Sequence, residues 1–299
     1  MDLATFPARI HVEPTNVCNL DCHFCPYSRQ TRRKGFMDPA LFRKIVDECR
    51  PHNPKLWLHF LGEPLLHKRL PELIEYGKAQ GLTQLGLSTN LFFLTPALGE
   101  RLVRAGLDRL ECSVDGLDAE AYRRLRRSDQ FSRVVQNLRA FLELRRRLGS
   151  DRPVVTLSFM KSQETLRDLP AIREMWVPRL GERDFLMLID DISFAGEMRG
   201  ATASEPRSPC RWLWNYAMIL WNGDVVTCAS DFDGHRVFGN LWEERLADIW
   251  HGPAYRALRQ VHTDGRWQDS GLCAGCGDWA LADGHGYQNV RTAAPASGP

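Results

Sequence analysis

The sequence has no apolar run approaching the ~20 residues that cross a bilayer, which excludes a helical membrane protein. Its first residues, MDLATFPARIH, lack the basic-then-apolar pattern of a secretion signal, so the expected compartment is the cytoplasm. Neither sign of charge is in excess. The 39 basic and 37 acidic residues leave a net charge of +2, which excludes bulk-charge binding to nucleic acid or membrane. The positive charges are nearly all arginine, to which no function attaches. There is no internal repeat beyond an alternation of strand and helix. What remains is ordinary globular composition, 43% hydrophobic and 25% charged over 299 residues, enough for one large domain or a large and a small one.

Against these absences stand nine cysteines. A cytoplasmic chain has no use for a disulfide framework. Cysteines serving as small buried hydrophobes would be scattered over apolar faces. Seven of the nine instead fall in two groups with tight local spacing, so metal ligation is the first reading.

The first two thirds alternate strand-like and helix-like segments. Strands are expected over Ile10–Glu13, Lys55–Phe60, Gln84–Ser88, Arg109–Val114, Val154–Met160 and Phe185–Ile189. Between them come helices opened by Asp38-Pro39 and Thr95-Pro96, one marked by Leu70, Leu73 and Ile74, and one running from about Ser132 to Arg147. Six such units imply parallel strands with right-handed crossovers, too few for a closed eightfold barrel. The expected fold is α/β, a partial (β/α)6 TIM-like barrel over residues 1–195. A linker over 196–208 follows. A small domain over 209–290 then begins with a hairpin through Asn222-Gly223, and Leu241–His262 reads as mostly helical. Residues 291–299 read as a flexible tail.

Cys18, Cys22 and Cys25 lie in VCNLDCHFCPYS, directly after the first strand. Three thiolates on one short loop can hold three irons of a four-iron cluster and leave the fourth for an outside ligand, whereas ferredoxin-type sites use four cysteines. Zinc would want a fourth ligand, and His23, inside so tight a loop, closes a tetrahedron only with strain. The loop resembles that of the radical S-adenosylmethionine (SAM) superfamily. Leu61-Gly62-Glu63-Pro64 resembles the family's GGE motif, with Leu for the first Gly. Leu87-Ser88-Thr89-Asn90 resembles its ribose-contacting segment, and Ser113-Val114-Asp115-Gly116 ends the fourth strand ahead of Tyr122 and Arg126. The resemblance implies that the open iron chelates SAM and that a 5′-deoxyadenosyl radical does the chemistry. It assigns Phe24, Gly62, Glu63, Ser88, Asn90, Ser113 and Arg126 to SAM. Glu63 or the backbone beside it would take the ammonium, Ser88 and Asn90 the ribose, Ser113 and Arg126 the carboxylate, and Gly62 would permit close backbone approach.

Cys210, Cys228, Cys273 and Cys276 form the second group. From chemistry alone they suit a structural zinc ion. The hairpin WNGDVVTC, the stretch FGNLWEERLADIW and the CAGC knuckle resemble the SPASM/twitch extension of radical SAM enzymes. The resemblance implies one fully ligated auxiliary four-iron cluster, hence two [4Fe-4S] clusters in all. Cys49 sits on an apolar helix face. Strand alternation turns Leu110, Cys112 and Val114 to one side and Glu111 and Ser113 to the other. With Ser113 facing SAM, Cys112 faces the helices.

The expected function is a radical SAM dehydrogenase oxidising a hydroxyl of a sugar, aminocyclitol or aminoglycoside intermediate, with the auxiliary cluster accepting the second electron. Flavodoxin or ferredoxin is the expected donor. Glu13, His59, Glu111, Ser158, Asp190 and Arg199 are the candidates for contacting substrate. One rival is an epimerase that returns hydrogen through a cysteine. Another is a SPASM-type peptide-modifying enzyme, which would carry more auxiliary cysteines and a leader-binding module for which this N-terminus leaves no room. A metal-stabilised binding protein is the reading outside enzymes.

Overall fold

Short runs of Leu, Val and Ile alternate with segments that begin at a side-chain cap. In the computed structural model, which describes residues 3–198, 206–283 and 286–291, these runs become six strands: β1 (Arg9–Val12), β2 (Lys55–Leu58), β3 (Leu85–Thr89), β4 (Arg109–Ser113), β5 (Val154–Met160) and β6 (Phe185–Ile189). Each is parallel to the next. The helices between them are α1 (Pro39–Cys49), α2 (Leu70–Ala79), α3 (Pro96–Arg104), α4 (Ala119–Arg126), α5 (Phe131–Arg147) and α6 (Gln163–Trp176). Asp38 accepts the Ala40 N–H at 2.7 Å, Thr95 the Leu98 N–H at 3.2 Å, Asp118 the Ala121 N–H at 2.8 Å and Ser162 the Thr165 N–H at 3.0 Å, so four of these helices start where a side chain replaces the missing backbone acceptor.

Strand alternation sorts the two faces. Leu110 and Cys112, with Val155 and Leu157 beside them, are buried in the core under the helices. Glu111, Ser113 and Ser158 point to the concave face. The expected register of Cys112 is the observed one, and Cys49 lies in the same core at 0% exposure.

The sheet does not end with β6. A short helix, α7 (Trp212–Asn215), leads into β7 (Tyr216–Ile219), which runs parallel to β1, and β8 (Asp224–Val226) and β9 (Val237–Asn240) continue antiparallel. After α8 (Leu246–Trp250) and α9 (Pro253–Thr263), β10 (Tyr287–Asn289) pairs antiparallel with β6. One ten-stranded sheet results, in the order β10-β6-β5-β4-β3-β2-β1-β7-β8-β9. The C-terminal third therefore covers both edges of the six-stranded half-barrel.

Two local expectations change. The hairpin loop closes through the Leu220 N–H to the Asp224 carbonyl at 2.9 Å, and Gly223 (φ 96°) alone takes the left-handed position, so it is a three-residue loop rather than a two-residue turn. The stretch after Leu241 is not helical until Leu246, because Asn240 accepts the Trp242 N–H at 2.8 Å in a local side-chain turn that competes with helix. Among the described residues no helix is long and apolar enough to cross a membrane.

Candidate active site

The first cysteine loop is fixed before it reaches Cys18. Thr15 donates its hydroxyl to the Gly35 carbonyl at 2.6 Å and accepts the Val17 N–H at 3.0 Å, while Asn16 accepts the Gly35 N–H at 2.8 Å. Gly62 packs against this same segment. A Cβ there would stand 2.0 Å from the Thr15 carbonyl oxygen, and the Glu63 N–H bonds the Val17 carbonyl at 2.9 Å. Gly62 is thus required for the close approach to the chain leading into Cys18. Within the loop, the Tyr27 hydroxyl accepts the Cys18 N–H at 3.1 Å, and the Leu20 N–H reaches the Cys18 Sγ at 3.5 Å.

Glu63 is buried and already engaged. Its Oε1 accepts the Leu65 N–H at 3.0 Å and the Thr89 hydroxyl at 2.8 Å, and its Oε2 accepts the Asn90 N–H at 2.8 Å. It joins the loops beyond β2 and β3, and little of it is left over for a ligand ammonium. Asn90 gives an amide N–H to Asn19 at 2.9 Å and accepts the Phe92 N–H at 3.1 Å, which ties it to the cysteine loop. Arg126 closes the last turn of α4, where Arg127 (φ 50°) takes the left-handed cap. Its guanidinium pairs with Asp115, lies 3.5 Å from the Cys22 Sγ and stands 5.1 Å from the Phe24 ring centre, with Nε unpartnered.

These groups enclose a cavity of about 210 Å³ at the C-terminal ends of the strands. Cys18, Cys22, Phe24, Cys25, His59, Gly62, Glu63, Ser88, Asn90, Glu111, Ser113, Arg126 and Ser158 all reach its wall. His59 packs edge-on against His11, ring centres 4.8 Å apart. Burial holds its imidazole down at about 4, and its Nδ1 has no partner. Burial pushes the Glu111 carboxyl up to about 7.

Two expected substrate residues do not join this wall, and a third lies outside the described residues. Glu13 is fully buried in a paired hydrogen bond with Arg32, both contacts at 2.8 Å, and also accepts the Trp221 N–H at 3.2 Å; it ties β1 to the β7–β8 loop. Asp190 is paired with Lys161 at 3.1 Å outside the cavity wall. Arg199 lies outside the described residues. Two groups at the wall escaped the sequence reading. Asp115 takes a left-handed turn (φ 40°) and accepts the Met160 N–H at 2.6 Å, and Tyr287 arrives on β10. An Asp-Gly step directly after a strand was the available signal for the first.

The second group, Cys210, Cys228, Cys273 and Cys276, rings a cavity of about 20 Å³. Arg207 donates to the carbonyls of Cys273 at 2.6 Å and Cys276 at 3.0 Å and so holds the knuckle, and the Cys210 N–H donates to His262 Nδ1 at 3.2 Å. Burial pushes the thiols of Cys18, Cys25 and Cys210 up to about 12 and that of Cys276 to about 11. Such thiols are inert by themselves and ionise when a metal supplies the positive charge. Among the described residues no three His, Cys, Asp or Glu side chains converge as one metal ion requires. The cysteines instead surround two separate cavities, three thiols at one and four at the other, a donor set that fits two iron–sulfur clusters.

Residues 12–175 match the Radical SAM superfamily, and residues 210–277 match SPASM, an iron-sulfur cluster-binding domain. The chain belongs to the radical SAM superfamily and is an enzyme that uses SAM and [4Fe-4S] clusters. The SPASM match decides against zinc at the second group. Over 294 residues the chain is 24% identical to the S-adenosyl-L-methionine-dependent 2-deoxy-scyllo-inosamine dehydrogenase of Niallia circulans, covering 94% of this chain and 97% of that one. Over 320 residues it is 28% identical to the PqqA peptide cyclase of Xanthomonas euvesicatoria pv. vesicatoria (strain 85-10), covering 92% and 82%. The crystal structure of BtrN in complex with AdoMet and 2-DOIA shares the fold, with a TM-score of 0.62 at 23% identity over 92% of this chain and 94% of that one.

Proposed function

We propose that this enzyme is a dehydrogenase that oxidises a hydroxyl of a sugar, aminocyclitol or aminoglycoside intermediate to a ketone. The observation that carries the reading is the placement of the two cysteines outside the cluster groups. Cys49 and Cys112 are both buried on the helix side of the sheet, away from the cavity where a hydrogen-returning thiol would have to stand. The near full-length likeness to an aminocyclitol dehydrogenase supports the same reading.

Cys18, Cys22 and Cys25 would hold one cluster, and Cys210, Cys228, Cys273 and Cys276 the other. SAM bound at the first cluster supplies hydrogen-atom abstraction from a substrate carbon, and the second cluster supplies a one-electron acceptor. Arg126 and Ser113 would hold the SAM carboxylate, with Asp115 orienting the guanidinium. Phe24 packs beside that guanidinium. Glu63 and Asn90, themselves at the wall, brace it through backbone and loop contacts. His59, kept neutral by burial, can accept the hydroxyl proton at Nδ1. A flavodoxin or ferredoxin would deliver the reducing electron. The likeness to a peptide cyclase favours a peptide substrate as the second reading.

The test is anaerobic turnover with aminocyclitols, aminoglycosides and peptides in deuterated water, with 5′-deoxyadenosine and product mass both measured. The dehydrogenase consumes one SAM per ketone, which is lighter by two hydrogens and free of deuterium at the oxidised carbon. A product of unchanged hydrogen count carrying solvent deuterium would identify an epimerase, and a modified peptide would identify the second reading.

A further inference from the structure

We propose that Glu111 is the receptor for an ammonium group of the substrate, so that the enzyme selects an amine-bearing polyol over a neutral one. The proposal deepens the dehydrogenase reading and rests on it.

The charges of the cavity wall are few: Glu63, Glu111, Asp115 and Arg126. Three are matched within the protein. Glu63 takes two backbone N–H groups and the Thr89 hydroxyl. Asp115 takes the Arg126 guanidinium and the Met160 N–H. Arg126 is paired in return.

Glu111 has no cation of its own. Ser88 is its register partner on β3, and Ser158, two residues beyond its β5 partner Thr156, reaches it from the other side; both present hydroxyls to it. The one cation that acts on it, Arg126, belongs to Asp115. Among the described residues no lysine and no second arginine lines the wall. A carboxylate enclosed without a counter-charge is costly, and burial accordingly lifts Glu111 to about 7. A substrate ammonium supplies the missing charge and gains a charge-assisted hydrogen bond that a neutral hydroxyl in the same place does not. His59 directly follows β2 and Glu111 stands on β4, with β3 between them, so the amine and the reacting hydroxyl would be held at opposite sides of one small ring.

The experiment uses the full chain reconstituted with iron and sulfide, with SAM and a chemical reductant. The probes are 2-deoxy-scyllo-inosamine and the cyclitol in which a hydroxyl replaces its amine. Ketone formation gives kcat/KM for each. The unaltered enzyme should prefer the amine by roughly 10- to 100-fold, the range of one hydrogen bond to a charged group. Glu111→Gln should bring the two within a few-fold by slowing the amine far more than its analogue, and Glu111→Asp should restore part of the preference. Equal use of both cyclitols by the unaltered enzyme overturns the proposal while leaving the dehydrogenase reading intact, and this comparison stands whether or not a variant folds. A preference that persists in Glu111→Gln overturns it as well. Failure of both cyclitols to react, while aminoglycosides also yield no ketone, overturns the dehydrogenase reading and the proposal with it.

Discussion

The Asp278 carboxylate accepts the Ser193 backbone N–H at 2.7 Å. It also takes the Ala195 N–H at 3.0 Å and the Ser230 hydroxyl at 2.7 Å, and it is fully buried. One side chain beside the CAGC knuckle thus holds the loop that leaves β6. That loop carries three consecutive left-handed residues, Phe194 (φ 49°), Ala195 (φ 60°) and Gly196 (φ 95°). Two of the three lack the glycine that such a backbone favours, and Asp278 is what over-determines them.

Asp278→Asn leaves one backbone donor short of an acceptor, at a cost of about 1–3 kcal/mol. The loop should loosen where the second cluster site meets the end of the barrel. Ketone formed per 5′-deoxyadenosine should fall several-fold while iron content is retained. An unchanged ratio would show that the loop position does not matter to the second electron.

Arg126→Ala should cost both stability and SAM affinity, because it strips the buried Asp115 of its cation. Breaking a buried pair from one side costs about 3–5 kcal/mol, measurable as a drop in the urea midpoint. SAM binding should weaken roughly ten- to a hundred-fold. Adding Asp115→Asn should recover most of the midpoint and none of the affinity. Recovery of both together would mean that Arg126 serves the fold alone.

Cluster loading gives a third test. Reconstituted protein should carry about eight irons, as two four-iron clusters. Replacing Cys18, Cys22 and Cys25 together by Ala should remove about half the iron and all SAM cleavage. Cys276→Ala should instead suppress ketone formation more than cleavage. SAM cleavage by the triple variant would detach that chemistry from the loop.

Glu111 should also leave a mark on the stability of the SAM-free protein. Its carboxyl is raised from 4.5 to about 7. Between those values the folded state retains a proton that the unfolded chain has lost, so this group makes stability fall as pH rises through the window. Glu111→Gln removes that slope and should be relatively more stable at pH 8 than at pH 5, read as the difference in urea midpoints from the unaltered protein. His11 and His59, lowered by burial, contribute the opposite slope in both proteins and cancel in the comparison. A difference that does not change with pH would mean that Glu111 titrates as an exposed carboxyl does.

The cysteine groups and the six barrel strands were legible because spacing and period are local properties. The assignment of Cys112 and Ser113 to opposite faces needed only alternation along five residues, Arg109 to Ser113. Residues whose place depends on a distant partner were not legible. Glu13 looks like a polar group at a strand end until Arg32 folds onto it, and Asp190 until Lys161 does. Nothing in Leu61-Gly62-Glu63-Pro64 announces the Thr15 carbonyl that packs against Gly62. Tyr287 reached the cavity on a three-residue strand too short to show a period.

The pairing of β1 with β7 sets a timetable for the nascent chain. Arg9 is matched to Tyr216, so the first strand waits for more than two hundred residues before its second neighbour exists. At a synthesis rate of ~5–20 residues per second that edge stays bare for on the order of ten to forty seconds. β6 waits in turn for β10, the last strand among the described residues. Contacts so distant in sequence fold slowly, and the unfinished half-barrel exposes two open edges meanwhile.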